Sequence, residues 1–173
     1  MTGLKLMNEK LYDVPQEKTF TMLIGLPGTG KTTFAKNLLD HNSESRVLIS
    51  SDKIRFDLLN YNDTGIDFDP KIEPKVWKSV IRNIKEVMKD PMVKEIIFDA
   101  TNLRKSKRKK FLKLAKKNDF LTQGIVFSGS LRKIKGRNQD RERTVPEKVI
   151  ERFSKILEAP EVGEFDKLYR IEV

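Results

Sequence analysis

The segment Gly25–Thr32 restricts the possible folds of this chain more than any other part of its sequence, because it fits the pattern G-x-x-x-x-G-K-[ST]. Glycines at these spacings let the backbone bend so that several N–H groups point at one anion. The apolar run Phe20–Ile24 precedes the segment, and apolar residues at helical spacing follow it. Strand, glycine loop and helix therefore come in the order that distinguishes a functional match to this pattern from a chance match. The competing interpretation is a chance glycine turn after a strand.

The chemistry expected of this loop is the binding of a nucleoside triphosphate together with magnesium. The Lys31 ammonium is expected to reach the β- and γ-phosphates, and the Thr32 hydroxyl to ligate Mg²⁺. The helix that begins near Lys31 adds the positive end of its dipole. We therefore expect ATP and Mg²⁺ as cofactors. The residues predicted to contact ATP in this part of the chain are Gly25, Pro27, Gly28, Thr29, Gly30, Lys31, Thr32 and Thr33.

Short apolar strands alternate with helical patterns along the rest of the chain. This alternation is typical of an α/β fold with a mostly parallel sheet of four to five strands and helices on both faces. The predicted strands are residues 20–24, 47–51, 95–98, 121–127 and 168–171; the predicted helices are 32–39, 54–59, 75–89, 106–117, 131–143 and one that starts at Pro146. Ser106 is the expected cap of the fourth helix, and residues 60–74 form the longest expected loop. Residues 1–18 are expected to form an N-terminal arm, and residues 19–173 a single domain.

Composition excludes several kinds of site. The chain has no cysteine and one histidine, so disulfides, thiolate metal sites and multi-histidine metal sites are excluded. No apolar run approaches the ~20 residues that cross a bilayer, and we expect a cytoplasmic protein without a membrane partner. The 35 Lys and Arg residues outnumber the 25 Asp and Glu residues. The resulting net charge of +10 favours polyanionic partners such as nucleic acid.

Polar residues follow three of the predicted strands, where the carboxyl ends of a parallel sheet border a crevice. Asp52 and Arg55 follow the second strand and can face the same cleft. A carboxylate there can take the proton of an attacking hydroxyl, and an arginine can grip a neighbouring phosphate; the alternative is an ordinary surface pair. Asp99 ends the third strand, where it can hold a magnesium-bound water or orient an arginine, and Asn102 can contact the acceptor. The alternative for these two is a simple turn.

Two basic stretches are further candidates. Arg137 and Arg141 are four residues apart, so on a helix they share one face and are suited to close over phosphates as a lid. The run Arg104–Lys117 holds nine Lys or Arg residues in fourteen and is suited to track a nucleic acid backbone. The alternative for both stretches is a solvated helix face.

Four blocks together resemble the phage-type polynucleotide 5′-kinase family, within the P-loop kinases. They are Gly25–Thr33, Asp52–Arg55 (D-x-x-R), Asp99–Asn102 (D-x-T-N) and Arg137–Arg141 (R-N-x-x-R) followed by Val145-Pro146. The resemblance spans about residues 20 to 157 and implies the P-loop kinase fold with an arginine-rich lid. Because no ligase motif is found, and the one phosphatase-like D-x-D follows no strand, we expect a stand-alone kinase domain.

The same resemblance implies roles for individual residues. It makes Asp52 the general base on the 5′-hydroxyl and Arg55 the residue that holds the adjacent nucleotide phosphate. Arg141 contacts the donor phosphates with the support of Arg137. Together with the roles inferred above from the residues themselves, the predicted catalytic residues are Lys31, Asp52 and Arg141, and the predicted acceptor site is Asp52, Arg55, Asp99 and Asn102.

Three functions are compatible with these residues. The first is an ATP-dependent kinase of the 5′-hydroxyl ends of DNA or RNA, which prepares ends for ligation in nucleic acid repair. The second is a kinase of a small acceptor such as a sugar, a nucleoside, an antibiotic or a nucleotide-sugar, as in zeta-type toxins. The third is a non-catalytic nucleic-acid-binding module, against which the joint presence of Lys31, Asp52 and Arg141 argues.

Overall fold

The computed structural model describes residues 11–59, 71–141 and 144–173, and in these residues five strands form one sheet. The strands are β1 (Thr19–Ile24), β2 (Arg46–Ser50), β3 (Glu95–Asp99), β4 (Leu121–Ser128) and β5 (Lys167–Glu172). All neighbouring strands are parallel, in the order β2-β3-β1-β4-β5. The prediction of an α/β fold with a mostly parallel sheet is confirmed.

Burial along the strands follows their position in the sheet. Every residue of β1 and β3 is buried, as expected for central strands of a parallel sheet that is covered on both faces. In β5, at the edge, exposed and half-buried residues are mixed. The apolar runs of the sequence therefore mark the centre of the sheet.

Six helices surround the sheet within the described residues. They are α1 (Lys31–His41), α2 (Ser51–Leu59), α3 (Glu73–Met88), α4 (Lys105–Lys117), α5 (Leu131–Gln139) and α6 (Glu147–Ile156). Helices α3 and α4 share a core cluster that includes Phe20 and Phe98, whereas α1 packs with Leu23 and Ile97 in a second cluster. Alternate strand residues point to opposite faces, so this division puts helices on both sides of the sheet, as predicted.

A third apolar cluster lies over the glycine loop. It joins Leu26 of that loop and Leu103 to Ile134 of α5 and Ile150 of α6. Helices α5 and α6 therefore cap the edge of the sheet where the glycine loop lies, and the arginine-rich stretch belongs to this cap.

The observed helix ends correct three predictions. Helix α2 begins at Ser51, so Asp52 lies in a helical first turn rather than at the end of a strand. Ser106 does not cap α4: the helix begins one residue earlier, and the carboxylate of Glu158 accepts a hydrogen bond from the Lys105 N–H at 2.6 Å. A distant carboxylate thus replaces the local cap, which sequence spacing could not reveal. Pro146 occupies the N-cap position of α6, one residue before the helix.

Several predictions fall outside the described residues. These are the first ten residues of the expected arm, residues 60–70 of the expected loop, and residues 142–143 of the arginine-rich stretch. The described end of the arm is attached to the domain, since the buried Arg46 guanidinium donates to the carbonyl oxygens of Tyr12 and Asp13 at 3.0 and 2.7 Å. In the part of the chain that is described, no helix is long and apolar enough to cross a membrane.

Candidate functional site

The glycine loop between β1 and α1 adopts a backbone that requires glycine. Gly28 and Gly30 have φ angles of 85° and 84°, in the left-handed region. A Cβ atom on Gly28 would also lie 2.9 Å from the carbonyl oxygen of Ile134. The Thr29 hydroxyl closes the loop by donating to the Leu26 carbonyl oxygen at 2.8 Å. Local conformation and the packing of α5 therefore both fix this loop.

The start of α1 is built to receive an anion. Gly30 is its N-cap residue and makes no side-chain capping hydrogen bond, and the first turn carries no acidic residue. The first N–H groups of a helix have no partner within the helix, and they carry the positive end of the dipole. Thr32 and Thr33 are both exposed on this turn. The cradle therefore fits the phosphates of a nucleotide.

Lys31 is held inside the loop, with 7% of the residue exposed. Its Nζ atom donates to the Leu26 carbonyl oxygen at 2.6 Å and lies 3.3 Å from the Thr29 hydroxyl. Burial lowers the pKa of Lys31 to about 8, although the charges of Asp99 and Asp52 act in the opposite direction. The ammonium group has no ion pair among the described residues, so it is available to an anion such as the predicted phosphates.

Asp99 lies beside this lysine at the end of β3. Its Oδ2 atom accepts a hydrogen bond from the Thr32 hydroxyl at 2.7 Å. Burial raises the pKa of Asp99, while the Thr32 hydrogen bond and the Lys31 charge oppose that shift. Hydroxyl and carboxylate oxygens are the hard ligands that Mg²⁺ prefers. The pair therefore fits a magnesium ion that takes its remaining ligands from phosphates and water.

Asp52 and Arg55, which the sequence predicts to face the acceptor, form one cluster with Glu73 and Trp77, called the acceptor-side cluster. The Arg55 guanidinium pairs with Asp52 at 2.5 Å and, through Nε, with Glu73 at 2.7 Å. The Trp77 indole N–H donates to the other oxygen of Glu73 at 3.0 Å. The Asp52 side chain is 68% exposed, whereas that of Arg55 is 12% exposed. A fixed guanidinium thus orients a carboxylate that is open to a substrate.

The donor and acceptor sides meet at the same edge of the sheet. In the parallel register Ser50 is paired with Asp99, and the Gly25 N–H donates to the Thr101 carbonyl oxygen at 3.1 Å. The charges of Asp52 and Asp99 both act on the pKa of Lys31. The three strand ends that the sequence singled out therefore border one site.

Asn102 supports this edge from inside. The backbone of Asn102 is in the left-handed region, with φ of 49°, and only 7% of the residue is exposed. The side-chain amide donates to the Leu23 carbonyl oxygen at 2.7 Å, which ties the turn after β3 to β1. The predicted contact with an acceptor stays a prediction, and the described contacts of Asn102 are with the chain itself.

The two lid arginines are exposed, but they do not share a helix face. Helix α5 ends at Gln139, so Arg137 is in the helix and Arg141 is in the turn that follows. The reason is Asn138, whose buried side chain bonds both the carbonyl oxygen and the N–H of Val145, at 2.8 and 3.0 Å. These two hydrogen bonds, called the Asn138 clasp, stabilise a turn in place of a further turn of helix. The charge of Arg141 acts on the pKa of both Lys31 and Asp99, so Arg141 lies close enough to these two residues to influence them.

The lysines and arginines of the run Arg104–Lys117 are less available to a partner than the composition of the run indicates. Arg108 is fully buried and pairs with Glu164 at 2.6 Å while donating to three carbonyl oxygens. Lys105 pairs with Glu161 and Lys116 with Asp166. This side of α4 holds the segment before β5 in place, so part of the run is structural.

Sequence reasoning missed three residues of the site and its support: Glu73, Asn138 and Arg108. Arg108 lies three and four residues before Phe111 and Leu112, on the buried stripe of α4, and that spacing was a usable signal. Asn138 stands inside the R-N-x-x-R block. Nothing local to Glu73 indicates its pairing with Arg55, because the contact depends on how α2 packs against α3.

The comparisons with known proteins agree with this geometry. A family model described as "AAA domain" matches residues 20–160. A gluconokinase from Sinorhizobium meliloti 1021 superposes with a TM-score of 0.60 at 16% identity, covering 92% of this chain and 85% of that chain. Kti12 from Chaetomium thermophilum, in complex with ADP-AlF3, gives a TM-score of 0.63 at 18% identity, covering 88% of each chain.

A third similar structure is a chain of the Pnkp1/Rnl/Hen1 RNA repair complex. The TM-score is 0.65 at 20% identity, covering 83% of this chain but 45% of that chain. At such identities the likeness establishes the fold alone. The fold is that of the P-loop kinases, as the sequence predicted, and it is shared by a gluconokinase and by a chain of an RNA repair complex.

Proposed function

Since the chain belongs to the family described as AAA domain and has the P-loop kinase fold, we propose that it is an ATP-dependent polynucleotide 5′-hydroxyl kinase. The reaction moves the γ-phosphoryl group of ATP to the 5′-OH end of DNA or RNA and leaves a 5′-phosphate end ready for ligation. The observation that carries the proposal is the bonded pair of Asp52 and Arg55 at the edge of the donor site. A base beside a phosphate-gripping cation matches a hydroxyl that has a phosphate close to it.

Each charged residue then has a distinct task. The Asp52 carboxylate takes the proton of the 5′-hydroxyl while the hydroxyl oxygen forms a bond to the γ-phosphorus of ATP. The bond between the γ-phosphorus and the β–γ bridging oxygen breaks, and ADP leaves with that oxygen. Lys31 and Arg141 stabilise the negative charge that develops on the transferred group. Thr32, with Asp99 behind it, would hold Mg²⁺, which neutralises phosphate charge when bound. Asp52 finally returns its proton to water.

Arg55 needs one exchange of partners before it can hold the acceptor. Its guanidinium is paired with both Asp52 and Glu73. An acceptor phosphate can approach the nitrogen that faces Asp52, while Nε stays fixed by Glu73. The bond to Glu73 therefore keeps Arg55 in place during the exchange, which gives Glu73 a role in the site.

A second candidate function, phosphorylation of a small acceptor, is favoured by the same double pairing. Two carboxylates neutralise the Arg55 charge, which weakens its attraction for a phosphate and suits an acceptor that offers hydroxyls alone. Two similar structures are a gluconokinase and a sugar kinase. The acceptor, rather than the fold, separates the two candidates.

A panel of acceptors tests the proposal directly. We expect label from γ-labelled ATP to appear on 5′-OH DNA or RNA strands, and at a higher rate than on gluconate or other sugars. Strands that already carry a 5′-phosphate serve as the matched control and should accept none. Transfer to a small polyol with none to any 5′-OH strand would overturn the proposal in favour of the second candidate.

A further inference from the structure

A groove between α3 and α4 begins at the acceptor-side cluster. Trp77 lies in α3 and is hydrogen-bonded to Glu73, the residue that fixes Arg55. From the neighbouring helix α4, the Lys107 ammonium lies 5.1 Å from the centre of the Trp77 ring. A partly buried aromatic ring and a cation therefore stand together just beyond the position proposed for the acceptor phosphate.

The groove continues away from the site along both helices. Its lining consists of Ile81 and Lys85 from α3, and Lys110, Phe111 and Leu114 from α4. Ile81 is 36% exposed. Apolar and cationic side chains thus line the groove together, with no carboxylate among these lining residues. Trp77 and Lys107 adjoin this lining, because the centre of the Trp77 ring lies 6.2 Å from that of Phe111 and the Lys107 ammonium lies against the Trp77 ring. The lining and these two residues together are called the α3–α4 groove.

The lysines of the α3–α4 groove differ from others on α4 in their ionic partners. Within the described ranges, Lys85, Lys107 and Lys110 form no ion pair with a carboxylate. On the opposite flank of α4, Lys105 and Lys116 are paired with carboxylates, and Lys109 and Lys113 line a pocket together with Glu161 and Glu164. The groove therefore carries lysine charges that no carboxylate of its lining neutralises, and it adjoins the acceptor-side cluster at Trp77.

We propose that the α3–α4 groove binds the nucleic acid single strand that continues on the 3′ side of the nucleotide being phosphorylated. The substrate fits on two grounds. Lysines without acid partners suit successive backbone phosphates, and the partly buried ring of Trp77 suits a stacked base of any sequence. Trp77 and Lys85 are eight residues apart on α3, so the path is about 12 Å long, which is more than one nucleotide needs. This inference rests on the proposed function and names the part of the strand that the groove would hold.

Two matched double variants test the groove through binding, without requiring catalysis. Lys85→Gln with Lys110→Gln removes two groove charges. Lys109→Gln with Lys113→Gln removes two charges from the opposite flank of α4, where Glu161 and Glu164 lie close by. The probe is a fluorescent 5′-OH single strand of about 12 nucleotides, a length in the range of common single-strand sites. Its Kd is measured by anisotropy at several salt concentrations.

The groove variant should bind about tenfold more weakly at low salt, and its plot of log Kd against log salt should be shallower by about 1.4, the value for two lost phosphate contacts on a single strand. Trp77→Leu should weaken binding more than Trp77→Phe, which keeps an aromatic ring. The opposite-flank variant should bind like the parent chain, and ATP affinity should be unchanged in both double variants.

The outcomes separate this inference from the proposed function. Equal losses in the two double variants, or no loss in the groove variant, overturn the groove even if 5′-OH strands are phosphorylated. A selective loss in the groove variant supports the groove. If that loss occurs in a protein that transfers phosphate to small polyols and to no strand, the groove stands as a nucleic acid surface and the proposed function falls.

Discussion

The donor side and the acceptor side of the site are built in different ways. On the donor side, Lys31 and Asp99 are buried, and the loop around them takes left-handed glycine conformations under α5. On the acceptor side, Asp52 is largely exposed and Arg55 is held by two carboxylates from different helices. One half is fixed by backbone and burial, and the other by charge pairs between side chains.

This difference explains why the fold indicates the phosphate donor but not the acceptor. Backbone N–H groups and a buried lysine recognise a triphosphate whatever its phosphate is transferred to, so many kinases share the donor half. The acceptor half depends on a few side chains, and those decide the substrate. Changes on the two sides should therefore separate catalysis, stability and acceptor choice.

The largest effect is expected at the open carboxylate. Asp52→Asn should lower kcat by about 10²–10⁴-fold, the usual contribution of a general base, because the amide cannot take the hydroxyl proton. ATP affinity should stay close to that of the parent chain. Asp57→Asn, at an exposed position of the same helix, is the matched control and should be fully active. Full activity of the Asp52 variant would remove the base from the mechanism.

The buried lysine should show opposite effects on activity and stability. Lys31→Met should lower kcat by about 10²–10³-fold, as for other lost transition-state donors. The folded pKa is lowered to about 8 from 10.5, so at pH 7 the folded state carries the full cost of the buried charge. The variant should therefore be more stable by up to about 3 kcal/mol, measured by urea unfolding. Lys36→Met, exposed on the same helix, should change neither quantity; a destabilised Lys31 variant would contradict the account.

The titration of Lys31 gives a smaller effect on ATP binding. The free protein loses this proton as the pH rises through about 8, while bound phosphates favour the charged form. ATP affinity should therefore fall by about tenfold per pH unit above that value. Calorimetry in buffers of different ionisation heat should show proton uptake on binding. A flat affinity between pH 7 and 10 in the parent chain would show that the ammonium is not the group that meets the phosphates.

Much of the donor half could be predicted from sequence, and less of the acceptor half. Glycine spacing, the run Phe20–Ile24 and a helix with apolar periodicity sufficed to place the loop. The turn that carries Arg141 could not be placed, because the Asn138 clasp to Val145 competes with helix propensity. Contacts between elements far apart in sequence, such as Arg55 with Glu73, have no local signature. Sequence patterns therefore identify sites built by backbone better than sites built by paired side chains.

The acceptor preference of Arg55 variants tests the central claim most directly. The measurement is the ratio of kcat/KM for a nucleoside 3′-phosphate to that for the same nucleoside without the phosphate, with Lys53→Met as the matched control on α2. The account predicts a strong preference for the phosphate-bearing acceptor in the parent chain and the control, and its loss in Arg55→Met. Equal use of both acceptors by the parent chain, or an unchanged preference in Arg55→Met, would contradict it.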